Sequence, residues 1–475
     1  MTRIYKLFIC FTTASILFYS GTGCKKFADV DPASNIFNAS DVFSSNTTLN
    51  SGIAGMYSTA LFTYSDPFQT DLAVCPGTAA DELEVVGVNT NYDPFYKNAI
   101  NANSTNISNY WTGMYKVIYM ANAILEGVAV NRENISPAMD SLARGESYFM
   151  RAFCHFNLVN WFGDIPLVIS TDADANNRSA KKTSAEIMSK IIEDLKSAKT
   201  LLRKDYSSSP SNNRVRANKF VASALLARAY LYTNQWALAE AEASSVIEAT
   251  TLYKLLPSAD IAKVFYPNSL ETIWQMHNSS TTGSSTYRGS TALGYYLLGS
   301  VIPTMVLTAG FEKAFEADAD LRKTNWTREA TYVAGNVTYK NRQPFKYRNI
   351  FSNTPPAEAF CYLRLAEQYL IRAEARAEQN QTGTAAEDLN AVRKRAGLGN
   401  TSAATKESLL LAIERERRVE LFTETGHRWH DLKRTGRINQ VLAGKPGWDP
   451  NKLSFPIPAI EILNNPNLVQ NDGYR

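Results

Sequence analysis

The sequence predicts a mainly α-helical protein with loop-rich regions and minor β content. Three long segments carry apolar residues at steps of three and four, the spacing that forms one buried stripe on a helix. Two further segments share a matched spacing of small residues, which is typical of stacked helix pairs. Polar stretches such as KDYSSSPSNN and HNSSTTGSSTYRGST separate the helical segments. Together these observations favour a helical scaffold that carries long loops.

The three amphipathic segments follow one another in the N-terminal half. The first covers Asn109 to Val128, and the second ends at Gly163, a residue type that commonly terminates helices. Before the third segment, we expect Ser184 to be the N-cap, because its hydroxyl can accept a hydrogen bond from the first turn. A short piece further along, ETIWQM, combines apolar and β-branched residues and predicts a strand.

Two helix pairs repeat one internal spacing. In LLARAYLYTNQWALAEAEASSVI, small residues fall where two antiparallel helices would cross, and LIRAEARAEQNQTGTAAEDLNAV repeats the offsets. Small side chains let helix axes approach closely, as in tetratricopeptide repeats. The matched positions are Ala227, Ala239, Ala243 and Val246 in the first pair, and Ala373, Ala385, Leu389 and Val392 in the second.

Residues 1–23 predict a lipoprotein signal peptide. Two basic residues precede an uncharged apolar run from Leu7 to Tyr19, which is too short for a resident membrane helix but suits a secretory signal. The run closes on Gly-Thr-Gly-Cys, which resembles the bacterial lipobox, so we expect Cys24 to be lipidated. The usual leucine three positions before the cysteine is a glycine here, and a plain signal peptide cleaved nearby is the alternative.

Composition narrows the classes of function. The chain has 475 residues, 45% of them hydrophobic and 20% charged, which is ordinary for a globular protein. Its formal net charge of +4 gives no reason to expect a nucleic acid as partner. Cys75, Cys154 and Cys361 are scattered along the chain, so we expect buried thiols rather than a disulfide framework.

No motif indicates catalysis. Asp81, Glu82 and Glu84 crowd together, but neighbours in sequence seldom face each other across a substrate as the two carboxyls of a glycosidase must. The sequence has no nucleophile elbow, phosphate loop or HExxH motif. We therefore expect a protein that is not an enzyme and that needs no cofactor.

The stretch ETGHRWHDLKR, from Glu424 to Arg434, looks most like an active site. His427 and His430 stand three residues apart, a spacing that a metal could use on a helix. No cluster of His or Cys elsewhere offers a third and fourth ligand at a suitable spacing, so we expect no metal there.

Ordered blocks along the chain resemble the SusD/RagB family of surface lipoproteins from Bacteroidetes. They include ESYFMRAFCHFNLVNWFGDIPLV, CYLRLAEQYLIRAEARAEQ, AIERERRVELFTETGHRWHDLKRTGR and FPIPAIEILNNPNLVQNDGY, in this order. The resemblance implies one domain over residues 24–475, with an N-terminal part of about 25–250 and a C-terminal part of about 270–475. It also implies a scaffold of four tetratricopeptide-like helix pairs.

The same resemblance gives ETGHRWHDLKR a structural role. The block implies that this stretch joins the last helix to the scaffold through buried ion pairs. The residues that match the block are Glu420, Arg428, Trp429, Asp431, Leu432 and Arg434.

The resemblance further implies a location, a partner and a ligand. Such a protein is lipid-anchored at the outer membrane, faces the cell exterior and covers a SusC-like TonB-dependent outer-membrane transporter. It captures an oligosaccharide, or sometimes a peptide, and breaks no bond in it. A tetratricopeptide-type scaffold that binds other proteins is the alternative.

Two tyrosine-bearing stretches outside the helical stripes suit a carbohydrate ligand. Sugars present flat C–H faces edged by hydroxyls, so their sites combine aromatic rings with amide or charged groups. For each tyrosine, simple packing against its own loop is the alternative. The predicted ligand residues are Asn91, Tyr92, Phe95 and Tyr96 in the first stretch, and Tyr287, Arg288, Tyr295 and Tyr296 in the second.

Overall fold

The computed structural model describes residues 39–61, 67–276, 291–299, 302–334, 336–348 and 358–474. The predicted signal peptide and Cys24 lie outside these ranges. No helix within them combines the length and the apolar character needed to cross a membrane.

Helices account for most of the regular structure in these ranges. Short 3₁₀ turns at Arg132–Asn134, Pro210–Asn212 and Ser258–Lys263, and a π turn at Pro67–Asp71, join some of them. The helices are α1 Ala39–Val42, α2 Asn46–Leu61, α3 Leu72–Ala79, α4 Asp93–Tyr96, α5 Thr105–Val130, α6 Pro137–Phe162, α7 Ala173–Asn176, α8 Ser184–Leu201, α9 Lys219–Tyr232, α10 Trp236–Ile247, α11 Thr291–Leu298, α12 Ala309–Glu312, α13 Leu321–Asn325, α14 Leu365–Glu378, α15 Thr382–Arg395, α16 Lys406–Leu421, α17 His427–Arg434, α18 Ile438–Leu442 and α19 Ala459–Asn464.

The strands form two-stranded antiparallel ladders. The ladders pair β1 with β5, β2 with β3, β4 with β8, and β6 with β7. The ETIWQM stretch does form a strand, β4, which is buried along its whole length. The strands are β1 Leu83–Val85, β2 Ile165–Pro166, β3 Lys181–Lys182, β4 Thr272–Met276, β5 Met305–Leu307, β6 Thr327–Ala334, β7 Val337–Pro344 and β8 Phe360–Arg364.

The start of α8 differs from the prediction by one residue. Thr183, not Ser184, is the N-cap, and its side chain accepts a hydrogen bond from the backbone N–H of Glu186. The Glu186 carboxylate accepts the Thr183 N–H in return, which completes a capping box. Ser184 donates its hydroxyl to Asp164 at 2.9 Å instead. The reciprocal pair satisfies two backbone donors, which a cap at Ser184 would not.

Eight helices pack side by side in one row through the described chain. The contacts run from α5 to α6, α8, α9, α10 and α14, and α14 then contacts both α15 and α16. The number agrees with four helix pairs. The helices pack closely where they cross. The small and apolar residues predicted at these crossings are all fully buried: Ala227, Ala239, Ala243, Val246, Ala373, Ala385, Leu389 and Val392.

The two predicted helix pairs share a turn geometry as well as a spacing. Asn234 lies between α9 and α10 with φ of +58°, and Asn380 lies between α14 and α15 with φ of +61°. The next residue in each turn, Gln235 or Gln381, donates its N–H to a carbonyl five residues earlier, at 2.9 and 2.8 Å. Asparagine tolerates this left-handed conformation better than most residues. The repeat therefore extends to the backbone of the turn.

One large core cluster includes residues from Phe43 to Leu468. At its N-terminal side, Tyr110 of α5 stacks on Trp161 of α6 with 3.6 Å between ring centroids. Trp161 meets Phe455 edge-on at 5.1 Å, which brings the C-terminal segment against the same helices. Both ends of the described chain therefore share a core.

The three cysteines confirm the prediction made for them. Cys75, Cys154 and Cys361 are free thiols, and each is buried. Burial raises the pKa of each thiol above its usual range. They therefore serve as small apolar side chains.

Candidate functional site

The two histidines of ETGHRWHDLKR are interior residues. Both lie on α17 and are buried. His427 Nε2 lies 3.0 Å from Thr425 Oγ1, and the His430 ring meets Tyr232 edge-on at 6.5 Å between centroids. Burial lowers the pKa of His430 to about 3, so its ring is neutral. In the part of the chain that the structure describes, no group of three His, Cys, Asp or Glu side chains is arranged to hold a metal ion.

The charged residues of the same stretch form the ion pairs that the family block implies. Asp431 accepts hydrogen bonds from Arg417 at 2.7 Å and from Arg434 at 2.8 Å. Arg434 also reaches Glu374 of α14 with a second bond at 2.8 Å. These contacts tie α17 to α16 and α14 inside the protein. The predicted structural role of this stretch through buried ion pairs is confirmed, but its helix is not the last one, because α18 and α19 follow it.

A larger charge network surrounds Glu420. Its carboxylate accepts hydrogen bonds from Arg364 at 2.5 Å, from Arg322 at 3.0 Å, and from Arg395. Arg364 makes two further bonds to Glu424, at 2.8 and 2.9 Å. Burial by itself raises the pKa of Glu420, but the guanidinium groups outweigh it and hold the pKa below its usual range. The network is buried, and its opposite charges are paired with one another.

The carboxylates considered for catalysis also have internal partners. Asp81 accepts hydrogen bonds from Arg418 and Arg428, each at 2.7 Å. Glu82 is buried and accepts the Thr423 backbone N–H at 2.8 Å. Burial raises the pKa of Glu82 to about 7. Asp81 lines a cleft of about 370 Å³, but arginines occupy both of its carboxylate oxygens. Glu84, the third of these carboxylates, is a half-buried residue of β1.

The first tyrosine-bearing stretch is a capped turn followed by α4. The Asn89 side-chain oxygen accepts the backbone N–H groups of Asn91 at 3.1 Å and of Tyr92 at 3.2 Å. Asn91 is exposed at the tip of the turn. Tyr96 is half-buried, and the Lys445 ammonium lies 5.3 Å from its ring centroid. Asn91 and Tyr96 are the predicted ligand residues of this stretch that solvent reaches.

Two predicted ligand residues of the stretch are core residues. Tyr92 is 2% exposed and donates its hydroxyl to Asp71 Oδ1 at 3.3 Å, and Phe95 is 0% exposed and packs edge-on against Phe455 at 5.5 Å. Neither ring can stack on a sugar from this position, so direct ligand contact by Tyr92 and Phe95 is not supported. Their buried contacts fix the turn against the core of the protein.

Asp71 lies beneath this turn, and the sequence offered no signal for it. It is fully buried and accepts hydrogen bonds from Asn106 Nδ2 at 2.6 Å and from Tyr92. Burial raises its pKa to about 7, and these hydrogen bonds only partly oppose the shift. Asp71 thus links the turn to the start of α5.

The second tyrosine-bearing stretch is described only in part. Tyr287 and Arg288 lie outside the described residues, and Tyr295 and Tyr296 lie on α11. α11 packs against the turn at Pro67–Asp71 and against β5. α4, from the first stretch, packs against α3 and β1, and β1 pairs with β5. Both predicted stretches therefore pack around one ladder, although they are far apart in the sequence.

A hairpin adds aromatic residues to this ladder that the sequence-based prediction missed. β7 contacts β5 and α11. On the hairpin, Tyr332 and Tyr339 are cross-strand partners whose rings stack 5.4 Å apart. Tyr339 is 41% exposed. The period-two alternation of TREATYVAGNVTYKNRQP was the available signal for this hairpin.

Solved structures place the fold in a known class. A SusD superfamily protein from Bacteroides vulgatus matches with a TM-score of 0.77 and 24% identity, over 91% of this chain and 99% of that chain. A laminarin-binding SusD-like protein matches with a TM-score of 0.76 and 23% identity, over 91% and 100%. A SusD homolog from Bacteroides thetaiotaomicron gives 0.77 and 19%, over 92% and 98%. At these identities, the likeness establishes a SusD-type, mainly helical fold.

Sequence comparisons establish the family. The family described as "Starch-binding associating with outer membrane" matches residues 26–231, and the SusD family matches residues 306–474. SusD-like protein P25 of Formosa agariphila is 25% identical over 97% of this chain and 98% of its own length. The starch-binding protein SusD of Bacteroides thetaiotaomicron is 35% identical, over 27% of this chain and 25% of its own length. The chain belongs to the SusD/RagB family, whose members are binding proteins associated with the outer membrane.

Proposed function

We propose that this protein captures an oligosaccharide at the cell surface without cleaving it and passes it to a SusC-like TonB-dependent outer-membrane transporter. One observation carries the proposal: α4, α11 and the β6–β7 hairpin, each with tyrosines, all pack around the β1–β5 ladder. The family, with its starch-binding member, supports a glycan as ligand. A laminarin-binding neighbour of the same fold supports it too.

The chemistry of this surface suits a sugar. Tyr96 and Tyr339 offer rings that solvent reaches, and Asn91 offers an amide at the tip of a rigid turn. An aromatic ring stacks on the C–H face of a pyranose, while amides exchange hydrogen bonds with its hydroxyls. In this proposal Tyr295 and Tyr296, and the residues Tyr287 and Arg288 outside the described ranges, extend the same surface.

Capture without cleavage agrees with the placement of the carboxylates. A glycosidase needs one carboxyl to donate a proton and a second one to attack or to activate water. Asp81 is held by two arginines, and Glu82 is buried against a backbone N–H. A carboxylate in such a contact is not available to a glycosidic bond.

The membrane anchor is part of the proposal and has its own test. We expect Cys24 to carry lipid that holds the protein on the outside of the outer membrane, next to the transporter. A Cys24→Ala variant should be recovered in the soluble fraction, because a protein without this cysteine carries no acyl chain to anchor it. Continued membrane fractionation of the variant, with the transporter deleted, would contradict the anchor.

Affinity electrophoresis of the purified full-length protein tests glycan capture. Native gels that contain starch or laminarin should retard the protein relative to a plain gel. Tyr96→Ala, Tyr339→Ala and Tyr296→Ala should reduce the retardation, whereas Leu238→Ala, which removes an exposed apolar side chain from α10, should not. If no polysaccharide in a broad panel retards the protein, the ligand is a peptide or the protein is an interaction scaffold.

A further inference from the structure

A second cleft of about 420 Å³ lies on the N-terminal half, and no residue of the β1–β5 surface lines it. Its walls come from α5, from the segment that follows β2, and from α19 and the residues after it. The side chains that line it include Trp111, Tyr115, Tyr119, Asn177, Glu461 and Asn464.

Three aromatic rings form a ridge along one wall. Trp111, Tyr115 and Tyr119 are four residues apart on α5, so they lie on one face and each step advances about 6 Å along the helix axis. Trp111 is 3% exposed, Tyr115 is half-buried and Tyr119 is 52% exposed, so the ridge rises from the inner end of the cleft to its rim. The Trp111 and Tyr115 rings are in contact, with 4.9 Å between centroids.

The opposite wall is held in place by hydrogen bonds. Tyr115 donates its hydroxyl to the Pro166 carbonyl at 2.8 Å. Asn122 donates to the carbonyls of Val168 at 3.3 Å and Ser170 at 3.2 Å. At the C-terminal side, Asn465 donates to the Ser179 carbonyl at 2.8 Å. A cleft with walls fixed in this way needs little ordering when a ligand enters.

The polar groups of the cleft are mostly uncharged. Of the lining residues, Lys116 and Glu461 are charged, and their formal charges cancel. Burial raises the pKa of Glu461, and a hydrogen bond with the Trp111 side chain opposes that shift. The amides of Asn177 and Asn464 stand exposed at the rim. These amides can exchange hydrogen bonds with sugar hydroxyls, which a lipid tail or an apolar helix face does not offer.

We infer that this cleft is a second carbohydrate site, which takes a neutral oligosaccharide with its sugar faces on Tyr115 and Tyr119, next to the buried Trp111 ring, and its hydroxyls on the amides at the rim. The inference rests on the proposed glycan capture. Tyr115 and Tyr119 lie four residues apart on α5 and can each receive a sugar ring, and the cancelled charge disfavours uronic acids and sulfated sugars. Two separate sites on one molecule would raise the avidity for a long polysaccharide.

Isothermal titration calorimetry of the purified full-length protein tests this site, with maltoheptaose, laminarihexaose and an oligogalacturonate of similar length as probes. Tyr119→Ala should lower the affinity of this site for one of the neutral oligosaccharides by about tenfold. Tyr119→Phe keeps the ring and should bind as the unaltered protein does. Tyr119 is exposed, so an unchanged melting temperature should accompany the loss.

The outcomes separate this inference from the proposed function. A neutral probe that binds two sites, one weakened by Tyr119→Ala and Asn464→Ala and the other by Tyr96→Ala, supports the cleft. Unchanged affinity and stoichiometry in Tyr119→Ala and Asn464→Ala, with a loss in Tyr96→Ala, would overturn the cleft and leave the proposed function standing. Tighter binding of oligogalacturonate at the cleft would also overturn it. Binding of no probe by the unaltered protein would contradict both.

Discussion

Two regions of this protein treat polar chemistry in opposite ways. Around Glu420, in the C-terminal half, arginines and carboxylates are densely packed, but they are buried and form ion pairs with one another. Around the β1–β5 ladder and along α5, the groups that solvent reaches include aromatic rings and amides. A dense cluster of reactive residue types is thus a sign of structure here. The exposed rings and amides, which are less reactive, are the groups that can bind a ligand.

Two buried carboxylates show the same contrast. Glu420 has three guanidinium partners, which lower its pKa, whereas Asp71 has hydrogen bonds and, among the described residues, no cationic partner, so burial raises its pKa to about 7. The charge network is therefore stabilised by ionisation, and the region beneath the ligand turn is destabilised by it. Substitutions in each of the two regions test this contrast.

The largest expected effect is on the charge network. Glu420→Ala leaves three arginines without their shared partner, and we expect it to lower the free energy of unfolding by about 3–5 kcal/mol. Urea unfolding, followed by circular dichroism, measures the change. Glu414→Ala, on a half-buried carboxylate of the same helix, is the control and should cost less. A loss below about 1 kcal/mol for Glu420→Ala would contradict the role assigned to the network.

The next effect separates an anchor from a ligand contact. Tyr92→Ala removes a buried ring and should lower the free energy of unfolding by about 3 kcal/mol. Tyr92→Phe should cost about 1 kcal/mol, because only its hydroxyl contact is lost. Glycan binding by the folded Tyr92→Phe protein should be unchanged. Intact stability together with lost binding in that variant would instead make Tyr92 a ligand residue.

A smaller effect depends on pH. The folded-state pKa of Asp71 is about 7 against its usual value of 3.8, so the folded protein holds a proton that the unfolded chain releases between these values. The contribution of Asp71 to stability therefore falls as pH rises from about 4 to 7. Asp71→Asn should remove this dependence and raise the free energy of unfolding at pH 8 by about 2 kcal/mol. Equal differences between variant and unaltered protein at pH 5 and pH 8 would contradict the prediction.

The smallest effects on stability should accompany the largest effects on binding. Asn91→Ala and Tyr339→Ala change exposed side chains, so the free energy of unfolding should move by no more than about 0.5 kcal/mol. Retardation in a starch or laminarin gel should nevertheless decrease. Leu238→Ala again serves as the control. A variant that loses both stability and binding would show a folding defect rather than a ligand contact.

The scaffold was predictable because its signals are local and periodic. The apolar stripes, the matched small residues and the β4 strand all appear where the sequence places them. The N-cap of α8 moved by one residue because a reciprocal capping box at Thr183 and Glu186 competes better than Ser184 alone. Local signals thus located these elements, although the first helix begins at Thr105, four residues before the predicted Asn109, and ends at Val130.

The candidate site was less predictable because exposure depends on tertiary packing. Asn91 and Tyr92 are adjacent in the sequence, yet Asn91 is exposed and Tyr92 is buried against Asp71. Tyr339 lies near the ladder because β7 contacts β5, which is far away in the sequence. Trp111 and Tyr115 have the spacing of ordinary core residues, and the cleft beside them is formed by segments from far along the chain. Composition indicated the kind of surface, and the fold decides which residues form it.

One measurement compares the two regions directly. Calorimetric titration with laminarihexaose and maltoheptaose, corrected to the folded fraction, can be run on Tyr96→Ala/Tyr339→Ala and on His427→Gln, with and without EDTA. We expect the double tyrosine variant to lose affinity for these oligosaccharides by about tenfold or more. The His427→Gln substitution and EDTA should leave the affinity unchanged. Loss of binding in His427→Gln or with EDTA, and unchanged binding in the tyrosine variant, would contradict this expectation.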